Sequence, residues 1–184
     1  MNNPLSKRIL FLQVKDQDSE AYGKFYDLYV ERIYRFVFFK VNSVSDAQDL
    51  TSEVFLKVWQ YLKEGKEIKN LNAFIYLIAR NSVIDFYRQR NRQAETLAET
   101  GQLPEVPDET QDLLKRQIVG SDLENVLQGL NGLKDEYKEI IILRFLDELS
   151  IAEIAEILDK SKGSVRVLLH RALTALKNNV KEHH

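Results

Sequence analysis

The 184 residues contain no cysteine, which excludes disulfides, thiolate metal sites and cysteine nucleophiles together. Glycine (seven) and proline (three) are scarce, so little in the chain interrupts helix. Long apolar runs are missing too. The most apolar stretches, Ile33–Val41 and Ile140–Leu146, each contain an arginine and fall well short of the ~20 residues a membrane span requires. The apolar stretch Ile9–Leu12 is too short for a signal core. A cytoplasmic protein without membrane insertion is expected. Of three histidines, His183 and His184 are terminal. No glycine-rich phosphate loop and no Glu-x-x-His pair occurs. Catalytic residues, a metal site and a cofactor are therefore not expected, and the chain reads as a non-enzyme.

What is present is a composition 44% hydrophobic and 29% charged, which suits a folded soluble chain. The length allows one ordinary domain or two small ones. The formal net charge of −2 argues mildly against a nucleic-acid binder, but the distribution matters more. From Arg80 to Arg92 there are four arginines against Asp85 alone. From Lys160 to Lys181 lie six Lys and Arg plus His170, with no acid. Between these, Glu95–Glu124 holds eight acids against Lys115 and Arg116. Two basic segments thus flank an acidic connector.

Periodicity reads as helix almost throughout, so the fold class expected is all-α: two small helical domains joined by a flexible acidic linker, the second a helix-turn-helix. Ser6 caps a short first helix through Val14. Asp18 or Ser19 caps a longer one with Phe25, Leu28, Tyr29, Ile33, Phe36, Val37 and Val41 inside, ending at Asn42-Ser43. Ser45 and Gln48 form a capping-box pattern opening a helix with Ala47, Leu50, Val54, Val58, Tyr61 and Leu62 buried, closed by Gly65. A polar loop leads into a helix over about 71–90, with Phe74, Ile75, Ile78, Ser82 and Phe86 facing the core. Gln93–Gln111, polar, acidic and carrying Pro104 and Pro107, reads as linker. Domains are placed at 1–92 and 119–184, with 93–118 between. In the second, Ser121 and Glu124 make a capping box, a helix follows over 134–146, Ser150 and Glu153 make another box, and Ser161 caps the last helix.

Ser150–Lys177 carries the most specific signal: a short and a longer helix joined by a tight turn, the helix-turn-helix pattern. Val165, Leu169, Ala172 and Leu176 form the inward stripe, while Lys162, Arg166 and His170 recur every four residues on another face, with Arg171 beside them. Ser161, Ser164 and the free amides at the helix start can hold phosphate, and Arg166 or Arg171 can reach base edges in a major groove. The alternative is a solvated amphipathic hairpin. In Arg80–Arg92, Asn81, Arg88 and Arg92 share a face, with Tyr76 and Tyr87 as nearby aromatic surface. Such interleaving suits phosphate backbone and unpaired bases, or is simply a charged solvated face. On the helix from Ser45, Asp49, Glu53 and Lys57 follow at four-residue spacing, with Asp46 and Ser52 nearby. They either favour the helix dipole or dock a basic partner. Trp59 reads as a core or interface anchor.

The residues Asp46–Trp59 resemble the core-binding helix of the sigma-70 family, Ala73–Phe86 the adjoining −10 promoter helix, and Leu133–Lys177 the −35-binding domain. The short chain with only a linker between is similar to the extracytoplasmic-function group of bacterial RNA polymerase sigma subunits. The resemblance covers roughly Ser19–Lys177. It implies that Asp46, Asp49, Ser52, Glu53 and Trp59 engage core RNA polymerase, at the β′ clamp helices. It assigns Lys66, Lys69, Asn70, Arg80, Asn81 and Arg88 to −10 DNA, with the loop Gly65–Asn70 as a pocket for a flipped base. Ser161, Lys162, Ser164, Arg166, Val167, His170 and Arg171 fall on −35 DNA. Leu133–Leu146 and the final helix fall on the β flap, the acidic linker runs near the RNA path, and an anti-sigma protein is a further implied partner. Ser52 stands where the family usually has Gln, and Leu168 and Leu173 where Arg is common, which reduces the phosphate contacts available. The competing reading is a helix-turn-helix regulator acting without polymerase, which normally dimerises on paired half-sites. A helical enzyme or scaffold is a third, for which no residue set stands out.

Overall fold

Asp18 keeps an extended backbone, and its carboxylate accepts from the amides of Glu20 and Ala21 at 2.9 and 3.3 Å. That cap opens α1, Ser19–Val41. Asn42, in the left-handed region at φ 54°, closes it by donating its N–H to the Phe38 carbonyl at 2.8 Å. The computed structural model describes residues 10, 12–14, 18–100, 130 and 132–182, with side chains as far as 94 in the third helix and 179 in the last. The expected caps at Ser6 and Ser121 lie outside these residues. The chain divides into two compact units, Met1–Glu105 and Val106–His184.

In the first unit the stripe predicted for α1 is buried, apart from half-buried Leu28, and Ala21 and Phe38 join it. Helix α2 spans Val44–Lys63 and is capped by Ser43, whose hydroxyl accepts from the Asp46 amide at 3.3 Å. The cap expected at Ser45 is therefore corrected. Asn42 already ends α1, so Ser43 is the extended residue from which the next helix starts, and Ser45 lies inside it. Gly65, at φ 67°, adopts beyond α2 a backbone conformation in which a Cβ is strained.

Helix α3 covers Leu71–Thr100, ten residues past the expected end and into the segment read as linker. Gln93–Thr100 is polar but contains neither Gly nor Pro; its Gln, Ala, Glu and Leu are good helix formers, and the first breakers are Gly101 and Pro104. Because α3 packs against both α1 and α2, its buried face is wider than one stripe. Ala73, Ile75, Tyr76, Ala79, Ser82 and Val83 are buried, whereas Phe74, Ile78 and Phe86 are only half-buried. Tyr76, expected as surface aromatic, is fully buried with its ring edge-on to Phe36 at 5.5 Å.

In the second unit α4 spans Asp135–Ile141 and continues as a π-helical turn over Ile142–Leu146, not as the single α-helix expected. The reason lies in Ile140-Ile141-Ile142-Leu143. Four consecutive apolar residues cannot share one face at 3.6 residues per turn, yet all four are buried here. The wider turn, with the Asp147 amide bonded to the Ile142 carbonyl at 3.0 Å, accommodates them and leaves Phe145 outside. Helix α5, Ile151–Ile157, carries the expected capping box: Ser150 Oγ accepts from the Glu153 amide at 3.2 Å and Glu153 Oε2 from the Ser150 amide at 2.8 Å. Asp159, at φ 51°, and a Lys160 amide bond to the Ala155 carbonyl at 2.9 Å turn the chain into α6, Lys162–Glu182. Both α4 and α5 pack on α6, with Val165 and Ala172 of α6 fully buried. Among the described residues no helix is long and apolar enough to cross a membrane.

Candidate functional site

Three surfaces collect the residues singled out above. On α2, Asp49, Ser52 and Glu53 are exposed along one face together with Leu56 and Gln60, at offsets of three, four, seven and eleven that align on a helix. Ser52 donates back to the Gln48 carbonyl at 3.0 Å. Glu53 pairs with Lys57 at 2.5 Å, and the Lys57 ammonium also donates to the buried Ser82 hydroxyl at 3.0 Å, tying α2 to α3. Being half open to solvent, that ion pair adds little stability. Asp46 is half-buried near the cap, and Trp59 is half-buried at the edge of the face rather than on it. The indole lies 4.6 Å from the Tyr22 ring, with the Lys63 ammonium 5.2 Å above it. Tyr22 donates its hydroxyl to the Phe55 carbonyl, and burial pushes its pKa well up. Leu56 falls outside the set read from sequence, although its seven-residue spacing from Asp49 is the signal that marks it.

The second surface is the loop after α2 and the exposed side of α3. The buried Ile68 anchors the loop. Lys66 pairs with Glu64, whose hydrogen bond raises the ammonium pKa, and lies 5.0 Å over the Tyr61 ring. Asn70 caps α3, its Oδ1 accepting from the Ala73 amide at 3.2 Å, so the side chain expected at DNA has a structural duty. Lys69 is exposed. Asn81, Arg88 and Arg92 are exposed on one face of α3, while Arg80 is half-buried about a quarter-turn away. Arg88 lies 3.4 Å from Asp85. Tyr87 is partly exposed, its hydroxyl donating to the Lys40 carbonyl at 2.6 Å. Asp46, Phe86, Gln89, Arg90 and Gln93 line an open cleft of about 380 Å³.

The third surface is α6. Ser161 caps it, accepting from the Ser164 amide at 3.1 Å, and the two hydroxyls lie 2.9 Å apart. Lys162, Ser164, Arg166, Val167, His170 and Arg171 are all exposed. Of the inward stripe, Val165 and Ala172 are buried, and Leu169 and Leu176 half-buried. Cationic side chains around the start of the second helix of a helix-turn-helix suit a major groove. Among the described residues no cluster of His, Asp or Glu is arranged to hold a metal ion.

Two family models match the chain. Residues 25–93 match "Sigma-70 region 2", which takes in α2 and most of α3, and residues 123–176 match "Sigma-70, region 4", which takes in the helix-turn-helix. RNA polymerase sigma factor YlaC of Bacillus subtilis is 31% identical over 157 residues, 84% of this chain and 89% of that protein. ECF RNA polymerase sigma factor BldN of Streptomyces coelicolor is 30% identical over 86% of this chain, which spans 60% of BldN. Among solved structures, the sigma factor RpoE in complex with the anti-sigma factor NepR from Bartonella quintana is 25% identical, with a TM-score of 0.64 over 87% of this chain and 96% of that one. With both sigma-70 regions in order, and ECF RNA polymerase sigma factor ShbA of Streptomyces griseus 31% identical over 71% of this chain and 69% of that protein, the chain belongs to the ECF RNA polymerase sigma factors.

Proposed function

We propose that this sigma factor docks on bacterial core RNA polymerase through the exposed face of α2 and carries two DNA-reading surfaces to a promoter. Asp49 and Glu53, with Asp46, Ser52 and Trp59 around them, meet a basic surface at the β′ clamp helices. Lys66, Lys69, Asn70, Arg80, Asn81 and Arg88 serve the −10 element, where bases that leave the stack need compensating contacts. Ser161, Lys162, Ser164, Arg166, Val167, His170 and Arg171 serve the −35 element. The work is binding and promoter opening in the cytoplasm, with no bond chemistry. The complex of RpoE with an anti-sigma factor supports a similar inhibitory partner for this chain.

The observation that carries the reading is the α2 face. Asp49 and Glu53 stand exposed on one face of a segment matching sigma-70 region 2, upstream of a helix-turn-helix, an arrangement that supports polymerase docking over a free-standing regulator. Co-elution of the purified protein with bacterial core RNA polymerase on size exclusion at moderate salt tests it. A stable one-to-one complex is expected. Failure to bind core, with tight binding to duplex DNA alone, overturns the reading in favour of a regulator acting without polymerase.

A further inference from the structure

Spacing along α2 puts Lys57 in line with Asp49 and Glu53, yet its ammonium reaches across to α3. The side chain is half-buried and holds partners on two helices. One is Glu53 at 2.5 Å, a turn earlier on α2 and open to solvent. The other is the hydroxyl of Ser82 at 3.0 Å, a residue only 2% exposed. Ser82 adjoins Asn81, which is exposed on the side of α3 assigned above to DNA. An ammonium has three donors, so one side chain joins a carboxylate of the docking face to the neighbour of Asn81. For stability, the pair with Glu53 counts for little. The bond to Ser82 differs in kind. Apolar burial packs α3 on α2 without direction, and among the buried residues Ala47, Val54 and Val58 of α2 and Ala73, Ala79 and Val83 of α3 are small. A bond from an ammonium to a buried hydroxyl has a distance and an angle, and so specifies where one helix lies on the other.

We infer that Lys57 is a positioning residue for promoter engagement. Through Ser82 it holds α3 in register on α2, so that Asn81 and Arg88 meet the −10 strand at a fixed offset from the carboxylates that grip polymerase. The inference rests on the docking reading above and goes beyond it, because Lys57 and Ser82 have no part in either contact surface there. Polymerase holds the molecule by α2, and α3 holds the −10 bases, so the packing of α3 on α2 lies on the path between the two partners. A binding surface whose supporting contacts are loose loses affinity even with every contacting residue present. Glu53 acts from the opposite side, tethering the ammonium at the level of Ser82.

The test uses the full-length protein, purified bacterial core RNA polymerase and a promoter fragment from which the wild-type holoenzyme starts transcription. Two affinities are measured for each variant. One is that of the protein for core. The other is that of the assembled holoenzyme for a fluorescent single-stranded oligonucleotide carrying the non-template −10 strand of the fragment. Ser82→Ala keeps every charge and brings in a good helix former. It is expected to leave core affinity unchanged and to weaken oligonucleotide binding about tenfold, the scale of one hydrogen bond to a charged group. Lys57→Met is expected to match it, and Lys57→Arg, which keeps donors for both partners, to bind near normally. Lys57→Met/Ser82→Ala is expected to lose no more than either change alone, since both remove the same bond. Normal oligonucleotide binding by Ser82→Ala overturns the positioning role and leaves the docking face standing. So does a double variant in which the two losses add in full. A Lys57→Met change that weakens core binding as much as oligonucleotide binding makes Lys57 part of the docking surface, and likewise overturns the assignment. Failure of the wild-type protein to bind core removes the docking reading first, and the positioning role with it.

Discussion

Tyr22 packs beside the exposed face of α2, its ring against Trp59 at 4.6 Å and its hydroxyl donating to the carbonyl of Phe55. Burial disfavours the phenolate and pushes the pKa above the ordinary value of 10.0. A folded-state pKa raised above the unfolded value contributes stability that is complete below pH 10 and is lost as pH rises beyond it. Tyr22→Phe is accordingly expected to cost about 1 kcal/mol at neutral pH through the lost hydrogen bond. It is also expected to soften the fall in stability between neutral and alkaline pH. Chemical denaturation of both proteins at pH 7 and about pH 11 checks this. An alkaline decline of equal size in the variant would assign that sensitivity to other groups.

The elements differ in how much of them the sequence discloses. Caps are legible where side-chain chemistry and backbone conformation coincide. Asp18, Ser150 and Ser161 each accept from amides in the first turn of their helices, as their residue types predict. The reciprocal pair of bonds at Ser150 is short enough to weigh: Ser150→Ala removes the acceptor for the Glu153 amide and is expected to destabilise the second unit by about 1 kcal/mol. Thermal unfolding followed by circular dichroism checks it, and an unchanged midpoint would mean that the packing of α5 on α6 sets the stability alone. The α1 stripe and the helix-turn-helix are equally legible, since one apolar face per helix is what periodicity reports. Periodicity fails where a helix has two neighbours or no regular solution. Tyr76 looks like surface because its hydroxyl is polar, yet α3 is covered by both α1 and α2. The run Ile140–Leu143 hides the π-helical turn because burying four successive residues is not a property of the α-helix. Ser45 reads as the cap because Gln48 follows it at capping-box spacing, yet Ser43 takes that place because the left-handed Asn42 already ends α1. Of the candidate site, the α2 acids and the basic face of α6 follow from spacing. The structural duties of Lys66 and Asn70 do not, because each depends on a neighbour's placement.

Over the whole molecule, a formal charge of −2 is low for a chain that holds promoter DNA. A summed charge, however, says nothing about which surface a phosphate meets. Acids concentrate on the α2 face and between Glu95 and Glu124, while Lys162, Arg166, His170 and Arg171 stand exposed at the start of α6. One chain thus offers a basic partner and an acidic one separate surfaces, and a change confined to one surface should leave the other partner's binding intact. Arg166 tests that separation. It lies one turn inside α6 on the exposed side, where a guanidinium can make bidentate contact with a base edge, a contact worth roughly 1–3 kcal/mol of discrimination. Arg166→Ala is expected to lower initiation on templates bearing a −35 element about tenfold or more, with co-elution on core polymerase unchanged. Run-off transcription on paired templates, with and without the −35 element, makes the measurement. A loss confined to the template that has the element assigns Arg166 to reading it. An equal loss on both templates means that the arginine acts through the rest of the complex, and that the two surfaces are not independent.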